Sequence, residues 1–470
     1  MVFVCSCYFA LVFHALYQRY LYFEMKEPTD SAAYMQVAWS FLHWPPYTVT
    51  MQENLIHHFP LNFLGDQLMW TLALFSPLYL LPSPPVMFLI TQVLIICTGA
   101  ILLYRITSRR LSDPLLALLI ATCYLFNPAT FLSFADFGFR AETLFIPLTF
   151  AIFLFVEKGR PLCAGLALTA FLLTKHNAIP VAVLLGLYFM VFHREQRRFG
   201  LFCILAAAAY YVIGVDFVMS HLQENPTAHF KHFARFGNTP GAALMNMAAH
   251  PGQIVAMISA AKLNYFIRIV FPAGFLALLS PSFWICSSEL LINAVLPEYH
   301  SIFCGWHWSL VVPFIFLGMV ATMHWILKKS GSPPYLKYLF ASILVFQLVL
   351  NISDIGGKIL NDPENFYFRE KNIDTQKLTE HLSSIDPSAS VMASSQLLWF
   401  FSDRRHIYNA RVKFHDEVDY IAILWPMNIS DYGNIDKFLL EELQRDPAES
   451  KLNQFVVTVR DPNLVLLKHK

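Results

Sequence analysis

Eleven apolar runs dominate this chain and leave few architectures open to it. They fall at about residues 3–23, 84–105, 114–134, 142–157, 161–175, 178–192, 199–218, 263–281, 282–297, 307–327 and 335–353. A helix needs roughly 20 apolar residues to cross a bilayer. The pattern therefore predicts an all-α polytopic membrane protein of about 11 spans, with the number set to within one or two because several runs are short. The runs at 161–175 and 178–192 read as a helical hairpin that crosses only in part. Composition agrees: 56% of residues are hydrophobic and 14% charged, against about 25% charged in soluble domains. The first run lacks a basic leader and a small-residue cleavage site, so it reads as a retained span.

Basic residues punctuate alternate short loops. Arg105, Arg109 and Arg110 form one cluster, Lys158 and Arg160 a second, Arg194, Arg197 and Arg198 a third, and Lys328, Lys329 and Lys337 a fourth. The positive-inside rule assigns all four to the cytoplasm. With eleven spans the N-terminus is then cytoplasmic and the tail extracytoplasmic. The opposite loops carry Asp30, Asp66, Asp136, Arg140, Glu142, Lys175, His176, Asn177 and His307. Ionisable groups at a membrane are costly and tend to be functional, so these remote positions are expected to share one extracytoplasmic site.

Domain organisation follows the same pattern. Residues 1–353 form the transmembrane domain, with a first external loop at 24–83. Residues 354–470, where charge returns and apolar runs shorten, read as a small extracytoplasmic α/β domain. Helices are expected at 374–384 and 434–445, and strands at 390–395, 406–410, 419–424, 455–460 and 464–468. In the first loop, residues 32–44 have helical apolar spacing and read as a helix lying along the interface. Thr29 or Asp30 would cap it, and Pro45-Pro46 would end it. The run 68–81, broken by Pro77, reads as a re-entrant segment.

Other function classes find little support. A net charge of +1 argues against a nucleic-acid partner. The eight cysteines lie mostly inside apolar runs and show no metal-ligand spacing; only Cys304 is expected near a surface. No P-loop, GxGxxG, HExxH or useful GxSxG context is present. Asn428-Ile429-Ser430 fits a glycosylation acceptor, a pattern too common to carry weight.

The candidate residues each admit two local readings. Asp30 is either a helix cap or a general base for an acceptor hydroxyl, and on local sequence alone the cap prevails. Asp66, in Gly65-Asp66-Gln67, either initiates a turn or orients a ligand. His57 and His58, adjacent on an extended segment, point apart. The charges at Asp136, Arg140 and Glu142 either pair internally or face a substrate, with Arg140 holding a phosphate in bidentate fashion. Lys175-His176-Asn177 either snorkels to the interface or forms a cationic phosphate site. His307, between Trp306 and Trp308, belongs either to an aromatic belt or to a donor contact.

Several motifs together resemble a prokaryotic family of polytopic membrane proteins of unknown function. That family is distantly similar to GT-C glycosyltransferases such as the protein mannosyltransferases and aminoarabinose transferases. The resemblance rests on Asp30, Gln36 and Trp39; on Gly65-Asp66-Gln67 with Phe75-Ser76-Pro77-Leu78-Tyr79; and on Asp136-Phe137 with Glu142. It also rests on Thr174-Lys175-His176-Asn177, Arg235-Phe236-Gly237, His307 with Pro313-Phe314, and Ser394-Ser395-Gln396 with Arg404-Arg405-His406-Ile407-Tyr408. The chain departs from the family pattern at Gln67, at Gly138-Phe139-Arg140 and at His176-Asn177, each time losing an acid or an imidazole.

The resemblance implies a GT-C-like fold and a glycosyltransferase that uses a polyprenyl-phosphate-linked sugar donor. It implies Asp30 as the catalytic base, reversing the local preference. It implies Gln36, Asp66, Gln67, Asp136, Arg140, Glu142, Lys175, His176 and His307 as substrate-binding residues. A divalent metal, Mg2+ or Mn2+, would be held by Asp66 or Asp136, though no ligand spacing compels one. The sugar, the acceptor and the oligomeric state are not specified. A lipid-linked substrate transporter or flippase is the competing class, and would call for internal repeats and binding at the bilayer midplane. A non-catalytic assembly subunit is a third.

Overall fold

The computed structural model describes residues 1–25, 28–43, 45–51, 61–128, 130–131, 135, 137–222, 233–237, 239–295, 305–361, 374–410, 417–424, 442 and 452–470, with the side chains of 61, 234, 240, 244 and 305–307 excepted. Within them, five helical stretches are long and apolar enough to cross a membrane: Val2–Leu21, Pro84–Leu111, Arg194–Leu222, Trp308–Lys329 and Pro334–Asn361. At 1.5 Å per residue, the 28-residue helices Pro84–Leu111 and Pro334–Asn361 are about 42 Å long and exceed the hydrocarbon core of about 30 Å.

The helices used below are α1 (Val2–Leu21), α2 (Pro28–Ser40), α3 (Pro84–Leu111), α4 (Pro114–Leu125), α5 (Phe145–Glu157), α6 (Pro161–Thr174), α7 (Ala178–Phe192), α8 (Arg197–Tyr210), α9 (Ala260–Val270), α10 (Ser287–Val295), α11 (Val312–Lys329), α12 (Pro334–Asn361) and α13 (Thr375–Ser383). Proline opens α2, α3, α4, α6 and α12, where its missing N–H costs nothing and its fixed φ suits the first turn. The tightest junction joins α3 to α4. Ser112, at φ 51°, ends α3, and the next residue, Asp113, caps the Leu115 and Leu116 amides of α4.

The basic clusters converge at one end of the bundle. The Arg110 Nε donates to Glu157 at 2.7 Å, and Nδ1 of His324 donates to the Arg110 carbonyl. Lys337 lies 3.7 Å from Asp113, and the charges of Arg110 and Glu157 reach His193. The ends of α3, α5, α7 and α11 and the start of α12 are thereby tied together. At the opposite end lie the start of α2, the loop before α5, and the α6–α7 turn.

Helical structure covers much of each apolar run, with informative departures. The runs 263–281 and 282–297 are not two continuous spans. Beyond α9 they break into short 3-10 turns, Phe271–Ala273, Leu276–Leu279 and Phe283–Cys286, before α10. Pro272, Gly274 (φ 69°) and Pro281 interrupt the ladder there. α5 starts at Phe145, which leaves Glu142 in the 3-10 turn Ala141–Leu144, outside the span. Residues 70–80 form a 3-10 helix with Pro77 inside it.

The first-loop helix is where the structure corrects the sequence most. α2 lacks the exposed apolar face that an interfacial helix keeps for lipid. Eight consecutive residues, Ser31 to Ala38, are buried, and its terminus Ser40 is buried as well. It packs against the 3-10 helix 70–80, against residues 48–49 and against the C-terminal region. There, strands β3 (Val391–Ala393), β4 (Ile407–Asn409), β5 (Tyr420–Leu424), β6 (Phe455–Asp461) and β7 (Leu464–His469) form one sheet in the order β4-β3-β5-β7-β6, counted after the small pair β1 (Thr48–Val49) and β2 (Leu61–Asn62). β4, β3 and β5 run parallel, and β7 and β6 continue antiparallel. The expected strands and the helix at 374–384 (α13) are all present. The helix expected at 434–445 and the Asn428 motif lie outside the described residues.

Candidate functional site

Two ion pairs and a tyrosine form a buried polar core at the end of the bundle away from the basic clusters. α2 opens at Pro28, so Asp30 falls in its first turn rather than at the cap; an acid there also suits the helix dipole. Arg140 Nη1 donates to Asp30 Oδ2 at 2.8 Å. Lys175, which follows α6, donates from Nζ to Glu142 Oε1, also at 2.8 Å. Tyr34, one turn beyond Asp30 on α2, donates its hydroxyl to that same Glu142 oxygen at 2.8 Å, with Gln67 Oε1 at 3.3 Å. Its ring also lies beneath the Arg140 guanidinium, 5.9 Å from ring centroid to Cζ. From α3, Gln92 Oε1 accepts from the Arg140 backbone amide and from Thr143 Oγ1.

Exposure separates the four charges. The side chains of Arg140 and Glu142 are 1% and 3% exposed, Lys175 is 16%, and Asp30 is 38%. Asp30 is thus the member of the quartet with an open side. Burial works to raise the Glu142 pKa, but the Lys175 and Arg140 charges outweigh it and bring the carboxyl down to about 2. Burial likewise opposes the Arg140 charge, yet Asp30, Tyr34 and Glu142 leave its pKa raised. Burial, followed by the Glu142 and Asp30 charges, pushes the Tyr34 phenol well above its ordinary value, which keeps it a donor. Among the described residues, Glu142 Oε2 and Gln92 Nε2 are buried without a hydrogen-bond partner.

The candidates named from sequence fare unequally. Asp30, Arg140, Glu142, Lys175 and Gln67 come together. Asp66 ends the short helix Phe63–Asp66, next to Gln67, and His176 lies in the α6–α7 turn, where its carbonyl accepts from the Ile179 amide. Gln36 is engaged elsewhere. Its Oε1 accepts from the Thr50 amide, and its Nε2 donates to Thr50 Oγ1 and to the Arg404 and Arg405 carbonyls. At 1% exposure its amide has no face left for a substrate, and it joins α2 to the C-terminal region instead. Asp136, His57, His58, Cys304 and the His307 side chain lie outside the described residues. No group of three or more His, Cys, Asp or Glu converges as a metal site among the described residues.

Sequence reasoning missed Tyr34, Gln92 and Thr143. Tyr34 left a signal, since it stands four residues after Asp30 and so shares its helix face. Gln92, a polar residue inside an apolar run, left a weaker one.

The chain matches the family described as Predicted membrane protein (DUF2079) over residues 28–450, and it belongs to that family. No curated protein matches it. Among solved structures it is similar to the crystal structure of ArnT from Cupriavidus metallidurans bound to undecaprenyl phosphate. The identity is 10% and the TM-score 0.56, with 99% of this chain and 97% of that chain covered. It is also similar to ArnT from the same organism in the apo state, at 12% identity and a TM-score of 0.40 with the same coverage. The first likeness shows a shared fold across the whole chain.

Proposed function

We propose that this family member is a GT-C-type membrane glycosyltransferase. It moves a sugar from a polyprenyl-phosphate donor to a lipid, glycan or protein acceptor on the extracytoplasmic face. The observation that carries the reading is the Asp30–Arg140 pair, with one partner buried and fixed and the carboxylate partner open. A carboxylate held on one side and free on the other is suited to take a proton from an acceptor hydroxyl. The fold likeness to a protein solved with undecaprenyl phosphate supports a polyprenyl phosphate as the lipid carrier.

The roles follow from the charges. Asp30 accepts the proton as the acceptor oxygen attacks the anomeric carbon, and the bond to the lipid phosphate breaks as the new glycosidic bond forms. Arg140 orients Asp30 through the hydrogen bond from its Nη1. Lys175 uses one N–H on Glu142, and its remaining donors suit the leaving phosphate, assisted by His176 and His307. Asp66 and Gln67 line the acceptor side beside Tyr34. A divalent metal, if the reaction uses one, would rest on Asp66 or Asp136.

The convergence of the basic clusters at the far end supports a cytoplasmic position for that end under the positive-inside rule. The site, and residues 354–470 as a second domain against the transmembrane domain 1–353, would then be extracytoplasmic. In proteoliposomes with a polyprenyl-phosphate-linked sugar, Asp30→Asn should lower turnover by roughly 10²-fold or more, the usual scale for a lost general base, with expression unchanged. Full turnover in that variant removes Asp30 as the base.

A further inference from the structure

Both halves of the Asp30–Arg140 pair rest on one segment from the far end of the chain. Asn409, the last residue of β4, donates from Nδ2 to Thr29 Oγ1 at 3.1 Å, immediately before Asp30. Its own Oδ1 accepts from Ser395 Oγ at 3.0 Å, and the residue is 1% exposed. The same segment reaches the other half: Trp399, ten positions earlier and 2% exposed, fills the space over Gly138, two residues before Arg140. A Cβ at residue 138 would lie 1.9 Å from Trp399 Cζ2, so the indole and a larger residue there exclude each other. The glycine that departs from the family pattern is thus the seat of a side chain from the C-terminal region.

The segment is braced at several points. Arg404 Nη1 donates to the Asp386 and Ala389 carbonyls, and its guanidinium stacks over Phe401 at 4.6 Å. The Ser394 amide donates to the Ala422 carbonyl, and the Ala410 amide to Ala393, so both ends are built into the sheet. Further contacts reach the membrane domain. Thr50 Oγ1 accepts from the Ile407 amide and lies 2.8 Å from the Ile407 carbonyl, and Tyr79 bonds both Ser402 and the Met35 carbonyl.

We infer that Asn409 and Trp399 are positioning residues of the site: Asn409 seats the turn that carries Asp30, and Trp399 seats the loop that carries Arg140. The site is therefore completed by the C-terminal domain rather than merely covered by it. The consequence for turnover rests on the proposed role of Asp30, whereas the consequence for structure does not.

Two measurements on the full chain in lipid nanodiscs separate these. By hydrogen exchange, Asn409→Ala should speed exchange over 28–40 by roughly 5-fold or more while 84–111 stays unchanged, the signature of local release. In sugar transfer the same variant should lower kcat about 10-fold with KM for the donor nearly constant, because orientation is lost and binding is not. Gly138→Ala should speed exchange over 137–144 and lower kcat likewise, through the ring it displaces. Gly138→Ala combined with Trp399→Phe should recover much of the loss, a coupling that general destabilisation does not produce.

Unchanged exchange over 28–40 in Asn409→Ala, or over 137–144 in Gly138→Ala, overturns the inference. So does uniformly faster exchange in every helix without recovery in the double variant, and so does released α2 with unaltered kcat. If α2 is released in the variants and the wild-type chain transfers no sugar, the glycosyltransferase reading falls and the positioning of Asp30 stands.

Discussion

Lys175→Met tests the electrostatics of the site without reference to any substrate. In the wild-type chain Glu142 is 3% exposed and is held ionised by Lys175 and Arg140. Its pKa falls from an ordinary 4.5 to about 2, and at about 1.4 kcal/mol per tenfold change this favours the folded state by about 3 kcal/mol. That contribution is complete above the unfolded pKa and is lost only as pH falls from about 4.5 towards 2, so the wild type is flat in this respect between pH 5 and 8. Lys175→Met removes the largest attractive charge. Burial, the leading influence on Glu142, then raises its pKa above the unfolded value. A raised carboxyl destabilises the folded state most at high pH, and the penalty shrinks as pH falls through the raised pKa. The expected loss is at least about 3 kcal/mol near pH 8, within the range for breaking a buried pair. With an unfolding entropy of about 2 cal/mol/K per residue, this is about 3 °C in Tm for a chain of this size. Thermal unfolding in a fixed detergent from pH 5 to 8 reads it. Adding Glu142→Gln should recover about half the loss, since the amide is neutral and still accepts from Tyr34. A Tm loss that is constant across that pH range, or that the second substitution leaves untouched, refutes the reasoning.

Other outcomes follow from single contacts. Tyr34→Phe removes the hydroxyl between Glu142 and Gln67; a hydrogen bond to a charge makes about 1.5–3 kcal/mol the expected loss by thermal unfolding. Gly200→Val should separate α7 from α8, because a Cβ at 200 would lie 2.6 Å from the Gly186 carbonyl oxygen. Overpacking of this kind costs about 1–3 kcal/mol, and a cysteine crosslink placed across the two helices would form more slowly. Asp113→Ala strips the cap from two amides of α4 and should lower stability by about 1 kcal/mol, again by thermal unfolding.

How much of this was legible in the sequence depends on the range of the interaction. The apolar runs, the alternate basic clusters and the tail strands are local patterns, and the structure carries them through to helices, a shared basic end and a five-stranded sheet. Hydropathy fails where it must distinguish lipid from protein as the apolar neighbour. α2 has the spacing of an interfacial helix, yet Ala33, Val37 and their polar neighbours Ser31 and Gln36 are all buried by protein. Likewise the apolar stretch 263–297 contains enough Pro and Gly to break its helix several times, and average hydropathy does not register backbone breaks.

The candidate site shows the same division more sharply. Tyr34 could have been found from Asp30 by helical spacing alone, because four residues bring two side chains to one face. The partners that decide the chemistry stand 110 residues apart for Asp30 and Arg140 and 33 for Glu142 and Lys175, and no local pattern joins them. Each charge, read alone, had an ordinary alternative as a cap, a turn or a snorkelling cation. Paired, the alternatives change meaning. Arg140 and Glu142 are too buried to be solvated by water, and each is tolerable only because a partner from another part of the chain neutralises it. The pairs leave one carboxylate, Asp30, with an open side. Gln36 shows the converse: its place in a family motif suggested substrate, but four hydrogen bonds to the backbone and Thr50 commit it to holding the C-terminal sheet against α2. A polar residue in an apolar chain therefore marks either chemistry or the docking that positions it, and only the partners distinguish the two.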